Sequence, residues 1–267
     1  MNFLDDMVAR RTARIAAEFG SLSAADRERL ALSGRASRPF AAALATRPDV
    51  AIIAEVKKCS PSAGPIAPAC EASKQALGYE AGGAAAISVL TEPESFGGSF
   101  TDLSDVSDAV TIPVLCKDFV VDPVQLFVAR GHGADAVLLI VSVLGTRVAE
   151  YLDLASTLGL EALVEVHDAA ELAVARTAGA SLVGVNSRDL YTLHVDPVRA
   201  RELVRAAAQA GLVVVAESGT TARFDVETAS AAGADAVLVG EALMRSPFPE
   251  DVLAELVGVR KEKGDVR

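Results

Sequence analysis

Gly133-Ala134-Asp135-Ala136-Val137 joins the end of one helical pattern to an apolar run over 136–141. Three near-copies recur: Gly83-Ala84-Ala85-Ala86-Ile87, Gly179-Ala180-Ser181-Leu182-Val183 and Gly233-Ala234-Asp235-Ala236-Val237. Glycine at this place supplies the left-handed conformation that stops a helix, and alanine lets helix and sheet approach closely. The joint therefore marks where a crossover helix hands the chain to the next strand. Working outward from it, eight short runs rich in Val, Ile, Leu and Ala emerge, at 51–56, 84–90, 113–117, 136–141, 162–166, 182–186, 212–216 and 236–239. Their apolar character is nearly continuous rather than alternating, as expected of strands buried on both faces of a helix-covered parallel sheet. Between them, 122–132, 146–158, 168–178 and 197–210 have the length and apolar spacing of amphipathic helices. Eight right-handed βαβ units close into a barrel. The expected fold is α/β, a (β/α)8 TIM barrel.

A chain of 267 residues with 51% hydrophobic content suits one such domain, since these barrels commonly use about 250 residues. We expect a single domain over 1–267, with the barrel over 51–259 and an N-terminal helical extension over 1–50. The extension has helical patterns at 3–18 and 24–32 and a basic stretch with Arg35, Arg38, Pro39, Arg47 and Pro48. It is expected to cap the barrel bottom or flank the site entrance. The charged tail 260–267 is expected to fray.

No run reaches the roughly 18 to 20 apolar residues that a membrane span needs, and Met1-Asn2-Phe3-Leu4-Asp5-Asp6 lacks a basic region followed by an apolar core. The expectation is a cytoplasmic protein with no membrane partner. A net charge of −11 and a pI near 4.8 repel phosphate backbones at long range and argue against nucleic acid. An anionic ligand must be held locally. Cys59, Cys70 and Cys116 are scattered and lack metal-ligand spacing, so neither a disulfide framework nor a metal site is expected. The expected state is a monomer or weak homo-oligomer.

In a barrel the strand C-termini and the loops after them form one concave face. The first run ends in Glu55-Val56-Lys57, where period-2 alternation turns Glu55 and Lys57 to the same, interior side. They form a structural ion pair or work on a substrate. The third run ends in Leu115-Cys116-Lys117. An inward Lys117 can protonate a carbonyl oxygen, form a Schiff base or hold an anion, and Cys116 then faces the helices as a small apolar residue. Glu165, near the end of the fifth run, suits a proton shuttle; His167, two residues on, could share the site or simply start the following loop, and the second reading is preferred. Asn186 and Arg188 at the end of the sixth run suit oriented hydrogen bonding, with an Arg188–Asp189 pairing as the purely structural alternative. Glu217-Ser218-Gly219 and Gly240-Glu241 follow the seventh and eighth runs, the usual place for a barrel's phosphate site. The loop after the second run, 91–100, is mobile by composition, and its Phe96 together with Phe119 could wall a pocket for a ring.

Taken together, Ile53-Ala54-Glu55-Val56-Lys57-Lys58 with Ser60-Pro61-Ser62, Ile87-Ser88-Val89-Leu90-Thr91-Glu92 with Phe96 and Gly98, Leu115-Cys116-Lys117-Asp118-Phe119, Leu163-Val164-Glu165-Val166-His167, Gly184-Val185-Asn186-Ser187-Arg188-Asp189-Leu190, Ala216-Glu217-Ser218-Gly219 and Val239-Gly240-Glu241-Ala242-Leu243-Met244 resemble the indole-3-glycerol-phosphate synthase family of tryptophan biosynthesis. The blocks run in order across the whole barrel. The resemblance implies a carboxy-lyase that closes the ring of 1-(2-carboxyphenylamino)-1-deoxyribulose 5-phosphate, a small phosphorylated substrate, to indole-3-glycerol phosphate with release of carbon dioxide and water. It implies Lys117, Glu165 and Lys57 as catalytic groups. It further implies substrate binding by Glu55, Ser60, Phe96, Phe119, Asn186, Arg188, Leu190 and Glu217, and phosphate binding by Ser218, Gly219, Gly240 and Glu241. It implies no cofactor and no metal. Ala63 and Cys59 depart from the family's usual first loop. The alternative is a non-catalytic or altered-substrate phosphate-binding barrel in a biosynthetic complex. The isomerase of the same pathway would place a cysteine at the end of the first strand, where this chain has Glu55-Val56-Lys57.

Overall fold

A computed structural model of the chain describes residues 2–262. Eight parallel strands close on themselves in sequence order: Ala51–Val56, Ala86–Leu90, Val114–Lys117, Ala136–Ile140, Glu161–Val166, Leu182–Asn186, Val213–Glu217 and Ala236–Val239. The last strand pairs with the first through Ala51↔Ala236 to Ala54↔Val239. The sequence places each strand to within two residues. Where it errs, turn residues compete with the pattern: Val141 opens a short helix, Val141–Leu144, and the seventh strand runs one residue later than expected, bringing Glu217 into the sheet.

Strand alternation divides the core in two. Ile52, Ala54, Ile87, Val89, Cys116, Val137, Leu139, Val164, Val183, Val214 and Val237 pack outward against the helices. Ala51, Ile53, Ala86, Leu115, Leu138, Leu163, Leu182, Val215 and Leu238 fill the barrel interior. Cys116 is thus a core residue facing the helices, as expected, and burial pushes its thiol up to about 12. The interior set is apolar through the middle of the barrel and gives way to a charge cluster at the C-terminal mouth; at the opposite end the inward Glu161 is taken up by the extension. This layering confines the chemistry to one end.

All four glycine joints adopt the left-handed conformation, with φ of 95° at Gly83, 81° at Gly133, 88° at Gly179 and 97° at Gly233. The aspartates of two of them add a function of their own. Asp135 accepts the backbone N–H of Val114 at 2.7 Å and Asp235 that of Val214 at 3.0 Å, each capping the preceding strand. Asp135 also receives Arg35 Nη2 and the Arg38 backbone N–H, both at 2.6 Å, which ties the basic stretch of the extension to the barrel bottom.

The extension both plugs the bottom and reaches the mouth. Within its basic stretch a short helix, Phe40–Ala45, buries Phe40 and Leu44 among the interior side chains. Its first N–H groups, on Phe40 and Ala41, donate to the two oxygens of Glu161, each at 2.8 Å. The longer helix Phe3–Phe19 lies at the other end and puts Phe3 into the cavity described below. The expected fraying of the tail fails for its first residues: Lys261 Nζ donates to the carbonyl of Leu44 at 2.7 Å, and Ser230 Oγ donates to that of Arg260 at 2.8 Å. Residues 263–267 lie outside the described residues. No helix among those described is long and apolar enough to cross a membrane.

Candidate active site

Every site residue expected from sequence lines a single cavity of about 560 Å³ at the C-terminal mouth, a volume within the usual range for small-molecule sites. Its floor holds a compact charge cluster. Lys117 Nζ lies 2.5 Å from Glu217 Oε2 and 3.5 Å from Glu165 Oε2, while Lys57 Nζ lies 2.8 Å from Glu55 Oε1. The ion pair considered for Glu55 and Lys57 therefore exists and also faces the cavity. Among the described residues no group of three or more His, Cys, Asp or Glu side chains is arranged to hold a metal ion.

The carboxylates flanking Lys117 behave differently. Burial would push both up. At Glu165 it is outweighed by the Lys117 charge and by His167, so this carboxyl sits below the usual carboxylate range. At Glu217, burial together with the negative charges of Glu165 and Glu55 prevails over Lys117 and holds the carboxyl above that range. Two acids sharing one lysine titrate as a pair in which one stays ionised and the other takes up a proton more readily. Burial likewise disfavours the Lys117 ammonium, but its three carboxylate neighbours more than offset this and raise its affinity for the proton.

Close packing keeps the cluster in place. A Cβ at Gly184 would overlap Glu217 Oε1, and one at Gly240 would lie 2.5 Å from Glu55 Oε1. Both glycines leave room for a carboxylate from the neighbouring strand, a requirement that no local pattern signals. Gly184→Ala is expected to displace Glu217 and lower turnover about 10²-fold, the scale of a roughly 1 Å misplacement. Circular dichroism would check that the fold survives and steady-state kinetics the loss.

At the rim, Asn186 Oδ1 accepts Ser218 Oγ–H at 2.9 Å and the Arg188 backbone N–H at 3.0 Å. The Arg188–Asp189 pairing, the structural alternative for these residues, does not form. Arg188 Nη1 donates to the Leu193 carbonyl at 3.0 Å, and Asp189 instead accepts the backbone N–H groups of Tyr191 and Thr192. Ser218 and Gly219 are both left-handed, with φ of 65° and 87°; for the serine this is a strained conformation of the kind stored at functional loops. Gly240 precedes the short helix Glu241–Arg245, whose first-turn N–H groups lack helical partners. The Glu241 carboxylate accepts Arg245 Nε–H at 2.8 Å, so what Glu241 offers an anion is its backbone. Arg245 also lines the cavity and escaped the sequence reading, because its approach depends on the helix turning back over the mouth.

The wall is aromatic, with the Phe96 and Phe119 ring centroids 6.2 Å apart and Leu190 lining the same cavity. The loop carrying Phe96 is more ordered than its composition suggests. Buried Glu92 accepts the N–H groups of Glu94, Ser95 and Phe96 at 2.9, 2.7 and 3.1 Å, and the Phe96 carbonyl accepts Cys59 N–H at 3.0 Å. The first loop folds as a small hairpin, Cys59–Ser60 with Gly64–Pro65, in which Ser60 Oγ accepts Ala63 N–H at 3.1 Å. His167 does begin the loop after its strand, but Nε2 lies 3.3 Å from Glu165 Oε1 and Nδ1 lies 3.0 Å from Glu171 Oε2.

The N-terminal helix also meets the residue that follows Lys117. Arg11 donates through Nε and Nη2 to Asp118, the neighbour of Lys117, at 2.9 and 2.5 Å, and Thr91 Oγ1–H donates to the same carboxylate at 2.7 Å. Arg11 and Asp118 are both buried. Arg11→Ala is expected to destabilise the fold by about 3–5 kcal/mol, because it strands a buried charge, whereas Arg11→Met with Asp118→Leu should restore most of that. Denaturant unfolding of the two variants would check it.

The family model described as indole-3-glycerol phosphate synthase matches residues 4–256, nearly the whole chain. The chain belongs to that family. The indole-3-glycerol phosphate synthase of Beutenbergia cavernae is 43% identical over 258 residues, covering 96% of this chain and 95% of that one. The Parafrankia sp. enzyme of the same name is 49% identical over 218 residues, covering 81% of each. Among solved structures, a 3-hexulose-6-phosphate synthase superposes with a TM-score of 0.62 at 16% identity, over 78% of this chain and 98% of that one. A thiamine phosphate pyrophosphorylase from Pyrococcus furiosus does so with 0.58 at 17%, over 82% and 96%. At such identities these two likenesses concern the barrel alone.

Proposed function

We propose that the chain catalyses the indole-3-glycerol phosphate synthase reaction, acting on the small phosphorylated substrate 1-(2-carboxyphenylamino)-1-deoxyribulose 5-phosphate as a carboxy-lyase of tryptophan biosynthesis. The observation that carries the assignment of roles is the half-buried lysine set between two buried carboxylates on the floor of the cavity at the barrel mouth. Lys117 donates a proton to the ketose carbonyl oxygen while the ring carbon bearing the carboxylate bonds to the carbonyl carbon. The carboxylate leaves as carbon dioxide and its electron pair stays with the ring. The new hydroxyl then departs as water, with Glu165 handling the proton transfer that restores aromaticity. Lys57 lies near the substrate carboxylate or assists that second step.

Ser218, Gly219, Gly240 and Glu241 hold the phosphate, chiefly through backbone N–H groups, which is how a chain of net charge −11 can bind an anion locally. Phe96, Phe119 and Leu190 wall the aromatic ring. Glu55, Ser60, Asn186, Arg188 and Glu217 orient the remainder. We further propose a single-domain cytoplasmic enzyme, monomeric or weakly self-associating, with no nucleic-acid or membrane partner; sedimentation at micromolar concentration would check the oligomeric state.

The chain contains no tryptophan, so indole product emission stands out against the protein. Mixing enzyme and substrate without added metal or nucleotide is expected to give a rise in indole fluorescence. No rise despite tight substrate binding would point instead to a non-catalytic or altered-substrate barrel.

A further inference from the structure

We propose that His167 is a positioning residue for the reaction: an imidazolium clamped between Glu165 and Glu171 that orients the Glu165 carboxylate. The inference rests on the reading of Glu165 as the proton-transfer group. Each ring nitrogen of the buried imidazole has a carboxylate oxygen within ion-pair distance: Nδ1 hydrogen-bonds with Glu171 Oε2 at 3.0 Å, and Nε2 lies 3.3 Å from Glu165 Oε1, in charge contact though not aligned as a hydrogen bond. A neutral ring has one N–H and one lone pair, so one carboxylate would then face the lone pair in a buried setting. The doubly protonated ring instead sets positive charge and an N–H beside each carboxylate oxygen.

The clamp is anchored from outside the cavity. Glu171 Oε2 also accepts the His167 backbone N–H at 2.8 Å, fixing ring and main chain with one carboxylate. Glu171 stands in the first turn of helix Ala169–Thr177, whose cap Asp168 accepts Glu171 N–H at 2.8 Å. The result divides the two oxygens of Glu165. Oε1 meets His167, and Oε2 remains directed at Lys117 and the cavity. Such outer partners fix the orientation and protonation of the group they touch. The charged groups facing Glu165 are Lys117, Glu217 and His167, with Glu55 beyond them and the Asn186 amide alongside; those facing His167 are Glu165 and Glu171. Burial opposes the imidazolium, yet its two carboxylate partners raise it to about 10.

Two measurements test this. In the native enzyme, whose three histidines make assignment tractable, nitrogen NMR of His167 at pH 7.5 should show both ring nitrogens protonated; a neutral tautomer would overturn the proposal. In His167→Gln, kcat should fall about 10-fold or more with KM changed less than about 3-fold. The acidic limb of the kcat profile should move up by about one pH unit, as removal of an adjacent opposite charge requires, and Glu171→Gln should move it the same way by less. An unmoved limb in a folded His167→Gln protein, or a rise in KM alone, would sink the proposal. Glu165→Gln run in parallel separates the two ideas, since near-normal turnover there would refute the role of Glu165 itself.

Discussion

Lys117→Ala is expected to lower kcat about 10³-fold or more while leaving the affinity for a phosphate-bearing product analogue within several-fold of the native value. A positioned general acid contributes about 10²- to 10⁴-fold. Here its loss also removes the counter-charge between Glu165 and Glu217. Those side chains are buried on the floor, whereas Ser218, Gly219 and Gly240, proposed to hold the phosphate, belong to the loops after the seventh and eighth strands. Binding of the phosphate end should therefore survive. The same substitution carries a stability signature. Without the ammonium, both buried carboxyls are pushed up and hold protons in the folded state that the unfolded chain has released. Stability of the variant should then fall more steeply than the native protein's as pH rises above about 4.5, since the folded state binds the extra protons. Near-normal turnover would overturn the role assigned to Lys117. A loss of phosphate binding equal to the loss of turnover would mean that the lysine holds the substrate rather than protonating it.

How much of this was legible in the sequence follows from the range of the physics involved. Alternation along a strand has a period of two, so naming the end of the first strand was enough to turn Glu55 and Lys57 inward; Lys117, Glu165 and Glu217 were legible as residues at or beside strand ends, which closure of the barrel gathers at one mouth. The glycine joints were legible for the same local reason. Gly184 and Gly240 were readable only as glycines; that they make room for Glu217 and Glu55 depends on the neighbouring strand. The Arg11–Asp118 pair spans 107 positions, and no periodicity or motif connects a helix in the extension to the residue beside Lys117. The Glu92 hydrogen bonds that order the loop carrying Phe96 were hidden by composition, because serine, glycine and proline suggest mobility whether or not a buried carboxylate gathers their N–H groups. His167 was underestimated because a histidine just past a strand is ordinarily a loop residue, and only the fold reveals a carboxylate on each side of its ring.

Glu165→Gln should slow turnover by about 10²- to 10⁴-fold, the range for loss of a positioned base, and clearly more than Glu217→Gln. The order follows from what each carboxyl does in the folded protein. Burial opposes ionisation of Glu165, but Lys117 and His167 outweigh it, so the group is present as the carboxylate that proton transfer needs. An amide in its place accepts no proton. Burial and the neighbouring acids hold Glu217 up, to about 7, so for part of the neutral range it already carries a proton. Glutamine reproduces that form's shape and still offers an oxygen to Lys117, which keeps Glu165 as its partner. The two variants should also differ in their pH response. A carboxyl raised in the folded state contributes stability that is complete below its unfolded value near 4.5 and lost as pH climbs through about 7; Glu217→Gln should lack that fall. Glu165 has the opposite sign, its contribution being present above the unfolded value and lost in acid, so Glu165→Gln should flatten the acid side instead. Kinetics and urea unfolding across pH 4 to 8 would read both. A larger rate loss in Glu217→Gln would move the proton shuttle to the seventh strand, and would leave Glu165 as the counter-charge that keeps Lys117 protonated.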